Sequence, residues 1–239
     1  MALWIRRKKT EWQVASEHLN VPRGTPNELS RLVPPVRFPD GLEIARFACR
    51  EVDEPTLQLR PALADRHIVS RPAMRFRLLT KEQIDIYIGT PMWVQVMDGN
   101  RTLCDVPTHN LRSTWFGPDT LTGRLCYATQ TAARVDLDRV MRQIGWAITK
   151  LTMVNKTEQL FQFDRLNIPI PSLDLYADSD GVLWTEDIMV VHDHDQMATV
   201  QLRGESPSRA REAILVTPAR QPAPKSILVR AVKQLRSEL

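Results

Sequence analysis

Two histidines separated by one residue are the side chains best placed for chemistry. In Val190-Val191-His192-Asp193-His194-Asp195, regular strand geometry sends alternate side chains to one face. His192 and His194 would then stand about 7 Å apart at the backbone, with Asp193 and Asp195 on the other side. A divalent-metal centre on a β scaffold begins with such a pair and is completed by a carboxylate or a third histidine from another strand. His67 and His109 are the histidines available for that position, and neither is near in sequence. The competing reading is a solvated hairpin tip, because polar Gln196 follows directly. One expectation is therefore a metal- or small-molecule-dependent enzyme built on a β cavity.

Other catalytic signatures are missing. The chain has no Gly-x-Ser-x-Gly elbow, phosphate-binding glycine loop or His-Glu-x-x-His helix motif. Cys126, between Leu125 and Tyr127, reads as a buried inert thiol, and Cys104 is close to His109 only in sequence. Between Arg165 and Arg203 there is no lysine or arginine, while Asp174, Asp178, Asp180, Glu186, Asp187, Asp193 and Asp195 are all acidic. Asp178-Ser179-Asp180-Gly181 lacks the ligand spacing of a calcium loop, so a hairpin turn with an acidic outer face is expected there.

Large rings point to binding instead. Trp115 and Phe116 precede Gly117-Pro118, with Gly123 beyond. Glycine and proline are turn chemistry, so the rings are expected on a loop folded back onto a sheet and sealing one end of it. With Trp93 and Tyr127 they form the candidate surface for a ligand or partner.

The formal charge of +4 is uneven. Residues 1–12 contribute +3 and residues 201–239 contribute +5, which leaves −4 on the middle. Residues 226–239 read as a basic amphipathic helix capped by Ser226, and its Arg230, Lys233 and Arg236 would meet an anionic partner. Nucleic acid is disfavoured, since the rings are not interleaved with basic residues along the sequence. Three cysteines without metal-ligand spacing point to reduced thiols in a cytoplasm. The basic N-terminus is not followed by an apolar segment, and no run reaches the roughly 20 apolar residues of a membrane span.

The elements that must position these residues are strands. Period-two alternation recurs in Leu57–Leu59, Met74–Leu78, Ile84–Ile88, Trp93–Val96 and Trp146–Asn155. Pro91 splits one of these runs into two strands or marks an edge strand with a bulge. Residues 135–144 fit a helix or a strand, and residues 11–19 suggest one short helix. About ten short antiparallel strands in a β-sandwich or barrel-like body are expected. The organisation is residues 1–40 as a proline-rich arm, 41–202 as the β-rich body and 203–239 as a basic tail ending in the helix.

Several phrases carry a family resemblance. They are Arg60-Pro61, Asp65-Arg66, Arg71-Pro72, Thr90-Pro91-Met92-Trp93, Thr114-Trp115-Phe116-Gly117, Cys126-Tyr127-Ala128, Ile168-Pro169-Ile170-Pro171, Leu173-Asp174-Leu175-Tyr176 and Leu183-Trp184-Thr185. Across residues 57–190 their order and spacing resemble a prokaryotic domain-of-unknown-function family, number 432. The resemblance implies a shared fold and brings no activity. The leading expectation is a non-catalytic cytoplasmic module that binds an unknown protein partner or a second copy of itself.

Overall fold

Alternating apolar residues become strand along most of the chain. The computed structural model describes residues 1–18, 37–52, 55–72, 76–117, 123–131, 134–137, 145–163, 165–194, 197–223 and 227–230. Among these the protein is mainly β, with twenty strands and a 3-10 turn at Ile170–Ser172. Two compact units form: Met1–Pro61 with Trp93–Asn110, and Ala62–Met92 with Leu111–Leu239.

The smaller unit has two three-stranded sheets. One contains β1 (Ala2–Lys8), β2 (Glu11–Glu17) and β3 (Ala45–Ala48), and the other β4 (Leu57–Ala62), β8 (Trp93–Asp98) and β9 (Arg101–Pro107). Their inward residues Val14, Val96 and Val106 share one core with Leu3, Ile5, Phe47 and Leu57 packed around it. The stretch read as a short helix is instead β2, which pairs on both sides, with β1 and with β3. As a central strand it buries Trp12 and Val14, and that tertiary gain overrides a weak helical spacing. The basic cluster closes the β1–β2 hairpin, Lys8 facing Glu11. Gly99, at φ +60°, supplies the left-handed backbone of the two-residue β8–β9 turn.

The larger unit is organised on β12 (Trp146–Asn155). Along one side it pairs antiparallel with β7 (Gln83–Pro91); along the other it pairs in parallel with β16 (Leu183–Thr185) and then β17 (Ile188–His194). Further strands extend this sheet: β15 (Leu175–Ala177) and β19 (Ile214–Thr217) beyond β16, and β18 (Met197–Leu202) and β20 (Ile227–Arg230) beyond β17. Short β6 (Phe76–Leu78) and β13 (Phe161–Phe163) form a separate pair. Pro91 ends β7, so the run it interrupts is two strands, each in a different unit.

The expected C-terminal helix does not begin at Ser226. Ile227–Arg230 is strand, paired from Val200↔Ile227 to Met197↔Arg230. Alternating branched side chains and the open edge of β18 favour a ladder there. Residues 231–239, with Lys233 and Arg236, lie outside the described residues, as do most of the proline-rich segment and residues 138–144.

Candidate binding surface

Four strands carry the aromatic candidates. β10 (Arg112–Phe116) pairs antiparallel with β11 (Arg124–Thr131), β11 in parallel with β5 (Ile68–Pro72), and β5 antiparallel with β14 (Leu166–Ile168). Trp115 and Phe116 are thus on an edge strand rather than a folded-back loop, and the Gly-Pro segment is the hairpin connection. Alternation divides the sheet into two faces. Trp115, Leu125, Tyr127, Ile68 and Ile168 share one; Phe116, Arg124, Cys126, Val69 and Asn167 share the other.

That second face is concave. Arg165, next to β14, holds its guanidinium 5.7 Å from the centre of the Phe116 ring on β10. In a flat sheet those positions would be separated by about 14 Å across three strand intervals and about 20 Å along them. A strong twist must therefore lift these diagonal corners toward each other. Beneath them Cys126 and Val69 are completely buried, and burial pushes the Cys126 thiol pKa up. The expected inert thiol is what the geometry favours.

The same face holds a polar chain the sequence reading did not anticipate. His67 Nδ1 meets Asn167 Oδ1 at 3.1 Å, and Arg124 hydrogen-bonds His67 Nε2. With Nδ1–H donating to the amide oxygen, the Nε2 lone pair accepts from the guanidinium, so His67 is neutral. Burial, and secondarily the Arg124 charge, lower its pKa to about 4. Tyr127, on the other face, donates to Asp65 at 2.9 Å and lies under the Arg66 guanidinium at 5.4 Å. Burial and the Asp65 carboxylate raise its pKa.

Trp115 is 39% exposed and faces Leu125, 43% exposed, directly across the β10–β11 ladder. They form an apolar patch on the convex side at the sheet edge. Phe116 is half-buried beneath Arg165. Trp93 is in the other unit, on β8, and is 3% exposed. The structure therefore brings Trp115, Phe116 and Tyr127 onto one sheet and keeps Trp93 within a core. Leu125 was missed although a signal existed: reflecting the chain about the Gly117–Gly123 connection places it opposite Trp115.

The histidine pair lies on β17, with His192 packed inside the fold. His192 is buried, its Nδ1 is 3.2 Å from Asn155 Oδ1, and its ring stacks on Phe161 at 4.2 Å with 9° between planes. Asn155 in turn donates to the carbonyls of Leu79 and Gln159. A bulge breaks the ladder between His192 and His194, so the alternation that would put both on one face is interrupted. Among the described residues no three His, Cys, Asp or Glu side chains are grouped to hold a metal ion. The side chain of His194 lies outside the description, and His109 belongs to the smaller unit.

The acidic stretch folds mainly onto itself. Asp178 accepts from the backbone N–H groups of Asp180 and Val182 and from Trp184 Nε1, forming the expected β15–β16 hairpin turn with Gly181 at φ +75°. Between β16 and β17 the strand forks at Glu186-Asp187. Buried Glu186 accepts from Asp174 N–H at 3.3 Å and Gly204 N–H at 2.7 Å, and burial raises its pKa while those donors oppose the rise. Lys150 bridges Asp85 at 3.2 Å and Asp187 at 3.5 Å. These bonds tie the forked strands together.

Comparison with known proteins places the chain at this point. Residues 1–235 match the model of the family described as Protein of unknown function (DUF432). The chain belongs to that family. The match reaches well beyond the 57–190 span that carried the resemblance and includes the β1–β2 hairpin and β20. No curated protein and no solved structure matches the chain. All three cysteines are free, and no helix among the described residues is long and apolar enough to cross a membrane.

Proposed function

We propose that this member of the DUF432 family is a non-catalytic cytoplasmic binding module whose docking surface for another protein is the Trp115–Leu125 patch. The observation carrying this reading is a tryptophan about two-fifths exposed on an edge strand, facing an equally exposed leucine. Tryptophan is enriched at the energetic centres of protein interfaces. Free cysteines support a reducing compartment. Behind the patch Cys126 and Val69 are buried, which favours recognition at the surface over chemistry at that thiol.

The test is tagged capture from native cells with the wild-type chain and with Trp115→Ser/Leu125→Ser, alongside light scattering of each. A stoichiometric partner held by the wild type and lost from the double variant supports the reading. Self-association lost in the same variant makes the partner a second copy. A partner retained equally by both chains removes the patch from consideration.

A further inference from the structure

The four-stranded sheet that carries the Trp115–Leu125 patch sorts its charges onto the opposite face. β5, β10, β11 and β14 contain three arginines and no aspartate or glutamate. All three arginines occupy positions of the Phe116 face. Arg124 stands directly opposite Phe116, Arg112 precedes it along β10, and Arg71 is opposite Gln130. Arg165 reaches that face too, its guanidinium over the Phe116 ring at 5.7 Å. Continuing the β5–β14 ladder one pair beyond Leu166↔Ser70 sets Arg165 beside Arg71. The result is a line across the sheet, Arg124, Phe116, Arg165 and Arg71, with Arg112 on its flank.

Little inside the fold claims these cations. Arg71, Arg112 and Arg124 are exposed and Arg165 is partly so. None of them pairs with a carboxylate among the described residues, whereas Lys8, Arg46, Arg66, Lys81, Arg101 and Lys150 all do. Arg124 spends part of its fork on His67. The forks of Arg71 and Arg112 make no hydrogen bond among the described residues. Grouped like charges repel one another, and a polyanion relieves that repulsion.

We propose that this arginine face binds single-stranded nucleic acid, with phosphates on Arg71 and Arg112 and a base stacked on the Arg165 guanidinium. Guanidinium forks match phosphate oxygens in bidentate geometry. Single strands are bound on β-sheets by stacking their bases on rings or on arginine planes, and Phe116 backs the plane of Arg165. Arg71 and Arg112 would stand about 12 Å apart in a flat sheet, a span of a few nucleotides. The interleaving of rings with basic residues that the sequence order lacks is built across strands instead. A duplex keeps its bases stacked on one another and leaves none for Arg165. An anionic membrane is disfavoured because Trp115 and Leu125, the exposed apolar residues that would insert, are on the other face.

The test is fluorescence anisotropy of labelled oligothymidylate, about 15 nucleotides long, titrated with the full chain between about 50 and 300 mM sodium chloride. Binding should saturate with a Kd of about 1–50 µM at the lowest salt. Log affinity should fall against log salt with a slope of about −2 to −3, for about three or four phosphates neutralised. Arg71→Gln/Arg112→Gln, at two exposed positions, should weaken binding about ten-fold or more and flatten the slope by about 1.4. Arg165→Lys keeps the charge and loses the plane, so affinity should drop about five-fold or more at an unchanged slope. Trp115→Ser/Leu125→Ser should bind the oligonucleotide as the wild type does, which separates this face from the docking patch. Far-ultraviolet circular dichroism checks that each variant keeps the fold.

Several results would overturn the proposal. One is no saturation by about 200 µM protein. Another is undiminished affinity and slope in Arg71→Gln/Arg112→Gln, which assigns the binding to other cations. Equal affinity for a duplex of the same length removes the stacked base. Equal competition by polyglutamate makes the face a site for acidic protein, and equal adsorption to vesicles containing phosphatidylserine makes it a membrane surface.

Discussion

Acid should weaken the larger unit through one side chain, His67. In an unfolded chain its imidazole takes a proton near pH 6.5. In the fold, burial first and the Arg124 charge second hold that event down to about pH 4. Throughout the interval the unfolded state binds more protons than the folded one. Stability contributed by the neutral ring is therefore fully present above about pH 6.5 and is lost as pH falls toward 4. The slope is at most about 1.4 kcal/mol per pH unit, which sums to about 3 kcal/mol over the window. Solvent reaching exposed Arg124 screens its share, so about 2 kcal/mol is the working figure.

The measurement is urea unfolding between pH 7.5 and 4.5 for the wild type and for His67→Gln. Glutamine can donate to Asn167 and accept from Arg124 without titrating, and carboxylates common to both chains cancel in the difference. That difference should be flat above pH 6.5 and then move against the wild type as pH falls. Arg124→Gln removes the secondary cause, so the window should narrow from its acid end while persisting, because burial remains. Parallel curves for wild type and His67→Gln down to pH 4.5, or an imidazole resonance of His67 that titrates near 6.5 in the folded protein, would refute the reasoning.

Three further outcomes follow from the packing. Asn155→Ala strips partners from the carbonyls of Leu79 and Gln159, from Thr157 N–H and from His192, and should cost about 3–5 kcal/mol in chemical unfolding. Lys150→Met leaves Asp85 and Asp187 without their shared cation; both are partly solvated, so a loss of about 1–3 kcal/mol is expected, and added salt should diminish it. Gly89→Ala brings a Cβ to 3.1 Å from the Trp146 ring, and calorimetry should record a loss of about 1–3 kcal/mol with altered tryptophan fluorescence.

Much of this architecture was legible because its governing signal is local. β12 spans Trp146–Asn155, as its alternation predicts, and the Asp178 turn needs only a carboxylate that bonds its own backbone. The misreadings share a physical cause. Residues 11–17 and 227–230 have weak intrinsic preferences, and neighbouring sheet edges decided them. The bulge between His192 and His194 was not legible either, since one inserted residue leaves no mark on composition. The Arg124–His67–Asn167 chain joins residues up to 100 positions apart, and only the order of the strands brings them together.

That strand order also links the polar chain to the surface. The outer hairpin joins its sheet through one parallel ladder, from Tyr127↔Ile68 to Thr131↔Pro72. Trp115 and Leu125 lie beyond the first of those paired rows, where β5 no longer supports them. At that end Arg124 reaches His67, and His67 reaches Asn167 on β14, so a hydrogen-bonded line continues where the ladder stops. Protonating His67 places two cations against each other along this line. The hairpin end carrying the patch should therefore loosen before the rest of the sheet, and hydrogen-exchange protection factors, corrected for the intrinsic pH dependence of exchange, should fall at Trp115 and Leu125 on acidification ahead of those at Val69 and Ile168. A simultaneous fall at all four would mean that the line supports the sheet as a whole and gives the patch no anchor of its own.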